Sequence, residues 1–137
     1  MSRERNVQTL RALLELWNGA DRSVTREVQE RIDRDFEIQG PLSSITGKPY
    51  RGVEGVGQWL SDIDDQFTVW EVREPEIRAL SDDRFVVLSS IHARGRESGV
   101  ELDWPAGARI DFSEGRLLRL TIYPSHDEAL QAPEPEQ

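Results

Sequence analysis

The stretch from Arg84 to Tyr123 leaves few choices of fold. It runs Arg84-Phe85-Val86-Val87-Leu88-Ser89-Ser90-Ile91-His92-Ala93-Arg94-Gly95-Arg96 and turns at Glu97-Ser98-Gly99. It returns from Val100 to Phe112, turns again at Ser113-Glu114-Gly115, and finishes from Arg116 to Tyr123. β-Branched and aromatic runs bounded by Ser and Gly are the signature of strands joined by hairpins. Three long strands with two short turns predict an antiparallel meander.

Alternation along each strand then sorts the side chains by face. Val86, Leu88, Ser90, His92 and Arg94 share one face of the first strand; Phe85, Val87, Ser89, Ile91 and Ala93 share the other. In the second strand Leu102, Trp104, Ala106, Ala108, Ile110 and Phe112 oppose Asp103, Gly107, Arg109 and Asp111. In the third, Leu118, Leu120 and Ile122 oppose Leu117, Arg119, Thr121 and Tyr123. No face is wholly polar, so both are expected to be covered, one by helices and the other by a second copy in a homodimer. Pro105 and Gly107 in the middle strand predict a bulge or sharp bend.

The chain has 137 residues, the length of a single domain. Residues 1–132 are read as that domain and 133–137, too polar and proline-rich to order, as a disordered tail. Acidic residues outnumber basic ones 26 to 17, for a formal net charge of −9. Nucleic acid is an improbable partner, because phosphate binding needs a concentrated basic face. The absence of cysteine excludes disulfides, thiolate metal sites and a Cys nucleophile. The charged start lacks an apolar signal core and no run reaches the length of a membrane span, so a soluble cytoplasmic protein is expected, with no membrane partner.

Ahead of the meander, Val7, Leu10, Leu13, Leu14 and Trp17 recur at helical spacing and predict a helix over 4–18, stopped at Asn18-Gly19. Asp21 or Ser23 caps a second helix with Val24, Val28 and Ile32 on one stripe. Asp35–Gln39 reads as a short strand, with Phe36 and Ile38 on one face and Glu37 and Gln39 on the other. A long loop from Gly40 to Pro49 follows. A third helix then presents Val53, Val56, Leu60 and Ile63 to the core with Trp59 beside them. Gly55 and Gly57 weaken that helix unless its start packs closely on another segment. Gln66–Leu80 supplies a further strand, bent or bulged at Pro75. Ser125 is a candidate cap for a helical turn over 127–132.

Helix, helix, short strand, loop, helix and then four strands is the order of the cone-shaped α+β fold shared by nuclear transport factor 2, ketosteroid isomerase and the SnoaL-like polyketide cyclases. Four segments sharpen the resemblance. Arg51-Gly52-Val53-Glu54-Gly55-Val56 resembles the Gly-x-x-Gly start of the third helix, and Trp70-Glu71 the start of the second strand. Arg94 to Val100 resembles the SnoaL-like hairpin, and Glu114-Gly115-Arg116 through Asp127-Glu128-Ala129-Leu130 the last strand and tail. The resemblance covers residues 7–132. It implies an NTF2-like (cystatin-like) fold, three helices packed on a strongly curved antiparallel sheet. One such fold hosts many unrelated activities.

The ketosteroid isomerase members use an Asp base, a Tyr and a protonated Asp. Placed by motif, those positions hold Gly40, Leu13 or Leu14, and Gly107. Steroid isomerisation of that design is therefore not expected, since it needs a base and oxygen-directed donors at the reacting carbons. The SnoaL-type members, by resemblance, rely on one acid/base carboxylate and polar pocket residues. His92, Asp103, Glu37 and Glu71 are the candidates here. An imidazole changes charge near neutral pH, which suits His92 to acid–base work. The alternative for His92 is a strand histidine on the outer face or at a dimer contact, and for Asp103 a surface ion pair. If the two meet, Asp103 orients His92.

Glu37 and Gln39 are candidate ligand-binding residues at the mouth of the family's pocket, or simply solvated. Trp17, Tyr50, Trp59, Trp70 and Trp104 either line an apolar cavity for a small apolar molecule or fill the core. His92 and His126 lie far apart in sequence without metal-ligand spacing, and no phosphate-binding glycine motif occurs, so no cofactor or metal is expected. Two functional readings follow. The first is a small-molecule-binding SnoaL-like protein, with cofactor-free isomerase or cyclase chemistry from His92 and Asp103. The second is a non-catalytic ligand-binding or dimerisation module.

Overall fold

The computed structural model describes residues 3–18, 26–40, 50–123 and 125–131, apart from the side chains of Leu16, Trp17 and Glu27. In chain order the elements are α1 (Arg3–Asn18), α2 (Arg26–Glu30), β1 (Ile32–Gln39), β2 (Tyr50–Arg51) and α3 (Gly52–Gln66). β3 (Phe67–Ala79), β4 (Arg84–Gly95), β5 (Glu101–Ser113), β6 (Arg116–Tyr123) and α4 (His126–Gln131) complete it. The six strands form one sheet in the order β2-β1-β6-β5-β4-β3. The meander falls where the alternation put it. Arg84 pairs with Asp111 and Arg94 with Glu101 in one unbroken register between β4 and β5.

Several expectations are corrected. The described chain has four helices rather than three, and β1 runs parallel to β6, so the sheet is mostly rather than wholly antiparallel. The stripe that extended the second helix to Ile32 fails at its end. Ile32 pairs with Leu117, and the Leu117 amide donates to the Arg31 carbonyl at 2.8 Å, so Ile32 opens β1 instead. Tertiary pairing outweighs a thin helical stripe. Asp21, Ser23, Val24, the loop residues 41–49 and the tail 132–137 lie outside the described residues.

The faces of β6 also differ. Leu117 and Leu120 both sit in the core, although strict alternation separates them. The register with β5 slips between Asp111 and Phe112, and that irregularity turns both leucines inward. Of the bulge or sharp bend expected at Pro105 and Gly107, the bulge is absent from the β4–β5 register, for two reasons. The β5–β6 pairing ends at Gly107↔Tyr123, so β6 has no residue opposite Pro105 to miss its N–H. A Cβ at Gly107 would lie 2.3 Å from that of Ala129, so glycine is there to admit α4. The irregularity at Pro75 is present: the β3–β4 register slips between Arg73 and Glu76, and Glu74 takes φ 51°.

The inner face of the sheet packs against α1 and α3. Leu10, Leu13 and Leu14 of α1 and Val56, Trp59, Leu60 and Ile63 of α3 bury against Phe36, Ile38, Phe85, Val87, Ile91, Ile110 and Leu120. Each end of this layer is fastened by a polar side chain on backbone. Asn18, ending α1, donates to the Val72 carbonyl at 3.0 Å and accepts from the Val72 amide at 2.7 Å. β3 is an edge strand, so Asn18 satisfies there a backbone pair that a neighbouring strand would otherwise take. Arg96, beyond β4, donates through Nη2 to the carbonyls of Asp64 at 2.6 Å and Phe67 at 3.3 Å. The last turn of α3 has no basic residue of its own, and Arg96 puts a cation where the helix dipole favours one.

The outer face is covered in part by α4. The Ser125 hydroxyl caps the start of α4, accepting from the Glu128 amide at 3.2 Å and donating to the Glu128 carboxylate at 3.0 Å. Ala129, fully buried, covers Val86 and Leu88 with Tyr123 alongside. Val86 and Leu88, two of the apolar residues of this face, are therefore covered within the chain.

Candidate functional site

The β4–β5 register places His92 directly opposite Asp103, and their side chains meet. His92 Nδ1 lies 2.8 Å from Asp103 Oδ1. The carboxylate can only accept, so Nδ1 carries the proton, and in the neutral ring Nε2 is the acceptor. A carboxylate holding one ring nitrogen so that the other faces outward is the arrangement of an oriented general base. The His92 side chain is 16 % exposed and that of Asp103 62 %.

Both residues stand on the outer face, with Val86, Leu88 and Ser90, and α1 and α3 lie on the other side. Glu71, across from His92 on β3, shares that face and is tied to Arg73 at 2.9 Å. Glu37 and Gln39 alternate with the buried Phe36 and Ile38, so they too point away from the core. Glu37 pairs with Arg51 at 3.0 Å and Gln39 is exposed.

The aromatic candidates divide. Tyr50 and Trp59 are core residues, 7 % and 3 % exposed. The Tyr50 hydroxyl donates to Asp62 Oδ2 at 2.6 Å, and Gln58 donates to the other carboxylate oxygen at 2.8 Å. The side chain of Trp17 lies outside what is described. Trp70 and Trp104 come together on the inner face, half-buried, with ring centroids 5.8 Å apart in an edge-to-face arrangement. Phe67 stacks obliquely on Trp70 at 5.0 Å. Leu102, on the same face of β5 as Trp104, is 46 % exposed. The rings thus form a partly open apolar patch at the hairpin end of the inner face. The acid–base pair and the aromatic patch occupy opposite sides of one sheet.

The inner face carries no imidazole or carboxylate on β4 or β5, and Asp62 of α3 reaches the layer through the Tyr50 hydroxyl. Its buried polar groups are few: Ser89, whose hydroxyl donates to the Ala106 carbonyl at 3.5 Å, and Asn6 and Thr9 on α1. Asn6 donates to the Asp82 carbonyl at 2.8 Å and Thr9 to that of Arg5 at 3.2 Å, so both are tied to backbone.

Reading along the sequence missed a second feature. An open groove of about 580 Å³ lies on the outer face between the β3 bulge, the middle of β4 and the start of β5, and ends at His126. Pro75 signalled the bulge, but nothing in the sequence brings His126 over β4. No cluster of ligating side chains able to hold a metal occurs among the described residues. No described helix is long and apolar enough to cross a membrane.

No protein-family model matches the chain, and no curated protein matches it by sequence. Solved structures do. An NTF2-like protein from Burkholderia xenovorans LB400 superposes with a TM-score of 0.75 at 16 % identity, over 98 % of this chain and 99 % of that one. A provisionally named SnoaL-like polyketide cyclase from Jannaschia sp. CCS1 gives 0.72 at 18 % identity, over 96 % and 94 %. A hypothetical protein with a ketosteroid isomerase-like fold from Catenulispora acidiphila DSM 44928 gives 0.70 at 12 %, over 90 % and 89 %.

Proposed function

We propose, from the premise that this chain has the NTF2-like fold of SnoaL-like and ketosteroid isomerase-like proteins, that it is a non-catalytic binder of a flat apolar small molecule. The observation that carries the reading is the separation of its parts. The partly open aromatic patch of Phe67, Trp70 and Trp104 is on the inner face, and the His92–Asp103 pair is on the outer one. Proton transfer needs the base within hydrogen-bond reach of the carbon acid, about 3 Å, which argues against His92 acting on a ligand held at the patch. A flat ring system adds to the edge-to-face rings by offset stacking, with Leu102 as a further apolar wall.

Isomerase or cyclase chemistry is the rival reading, with His92 as base and Asp103 as its orienting partner. Tryptophan fluorescence separates the two. Titration with a set of planar polycyclic ketones should quench Trp70 and Trp104 saturably. Trp70→Ala and Trp104→Ala should each weaken binding about tenfold, as expected for loss of one stacked ring. Full binding in both variants overturns the reading. Turnover of any of these compounds that disappears in His92→Ala restores the enzyme.

Self-association through the sheet stands as a separate proposal. It would have to use the part of the outer face that α4 leaves open. A monomeric mass at micromolar concentration would remove it.

A further inference from the structure

We infer that the outer-face groove is a site for a small organic ammonium ion with a short apolar stem. The groove is set by three local departures from a regular sheet. Glu74 and Pro75 form the bulge that lifts one wall. Ser90 and Pro105, opposite each other, put small side chains on the floor. α4 closes one end with His126.

The hydrogen-bonding groups there are fixed in one sense. His126 Nε2 lies 2.8 Å from the Ser89 carbonyl. A carbonyl only accepts, so Nε2 bears the proton and Nδ1 of the neutral ring is left as an acceptor. Asp103 gives Oδ1 to His92 and keeps Oδ2. Among the described residues, Glu74 has no ion-pair or hydrogen-bond partner. The one cation of the lining, Arg78, is held by Glu76 two residues before it on the same strand. What remains is two carboxylates, one imidazole acceptor and the Ser90 hydroxyl. Such a set rejects carboxylates and phosphates and offers little to a neutral acceptor. An R–NH3⁺ group brings three donors and the matching charge. Leu88 and the Pro105 ring offer apolar surface to its stem.

The site opens on the other face of the sheet from the aromatic patch, and of the patch residues only Trp104 also borders the groove. n-Butylamine is the probe, with n-butanol and butyrate as matched controls, followed by amide and histidine-ring NMR on the full chain. The amine should shift Ser90, Glu74 and the His126 ring saturably, with a dissociation constant of roughly 1 mM, a reasonable affinity for so few atoms. The alcohol and the acid should bind at least about tenfold more weakly. Glu74→Gln should weaken the amine about fivefold, and Glu54→Gln, an exposed carboxylate on α3, should not. Trp70→Ala should leave amine binding intact even if it abolishes binding at the inner face. Equal binding of amine and alcohol overturns the inference. So does an equal effect of Glu54→Gln and Glu74→Gln, which would mean general attraction to a chain of net charge −9.

Discussion

His92 Nδ1 sits 2.8 Å from Asp103 Oδ1, across one rung of the β4–β5 ladder and on the face opposite Trp104. Two neighbours in sequence, Asp103 and Trp104, therefore serve different sides of the protein. One joins a polar pair at the groove, and the other joins an aromatic patch.

The pair should add little to stability. Asp103 is largely exposed, and such ion pairs are worth about 0–1 kcal/mol. His92→Gln and Asp103→Asn are expected to shift the unfolding free energy by less than about 1 kcal/mol each. Neither should alter quenching at the inner face. Urea denaturation and the fluorescence titration measure the two effects separately.

The two glycines of α3 should respond with opposite signs. A Cβ at Gly55 would come 2.7 Å from the carbonyl carbon of Tyr50, a backbone atom that cannot step aside. A Cβ at Gly57 meets nothing within 4 Å. Gly57→Ala should stabilise by about 0.5–1 kcal/mol through helix propensity, and Gly55→Ala should destabilise by about 1–3 kcal/mol through overpacking. Thermal melts of the two variants decide it.

Gly107 should behave as the seat of α4. Gly107→Ala forces its Cβ against Ala129 and is expected to destabilise by about 1–3 kcal/mol, with faster proteolysis within 126–131. Ala129→Gly in the same chain should recover part of that loss, because the closest clash is between those two methyls and the Ser125 carbonyl oxygen at 3.1 Å remains. A loss unchanged by Ala129→Gly would place the strain elsewhere.

Glu114 and Gly115, between β5 and β6, have φ of 51° and 79°. Two consecutive left-handed residues in a two-residue hairpin make a type I′ turn, where Asn-Gly is preferred. Glutamate bears a steric penalty there that asparagine largely escapes. Glu114→Asn should therefore stabilise by about 0.5–1 kcal/mol, read as a shift in the denaturation midpoint without a change in slope.

The strands of the meander and their two faces were legible because a period of two leaves only two possibilities and both faces carry apolar residues. The helices α1 and α3 were legible for the same kind of reason: Leu10, Leu13 and Leu14, or Val56, Leu60 and Ile63, describe one buried stripe each. The choice between helix and strand at Ile32 was not, because it hangs on a hydrogen bond to Leu117, far along the chain. The inward turn of both Leu117 and Leu120 depends on a slip in the register with β5, which no local pattern encodes.

The candidate site divides along the same line. The sequence by itself determined that His92 and Asp103 would face each other if the hairpin closed in register, since pairing in a hairpin follows from its turn. It also determined that Pro75 would disturb its strand, since a proline cannot donate to a ladder. Only the tertiary structure decided which face receives the helices, and so put the imidazole and the tryptophans on opposite sides. It alone decided that Gly107 admits α4 and that His126 ends up over Ser89. Local periodicity states which residues share a face; what covers that face is set by distant segments competing to bury it.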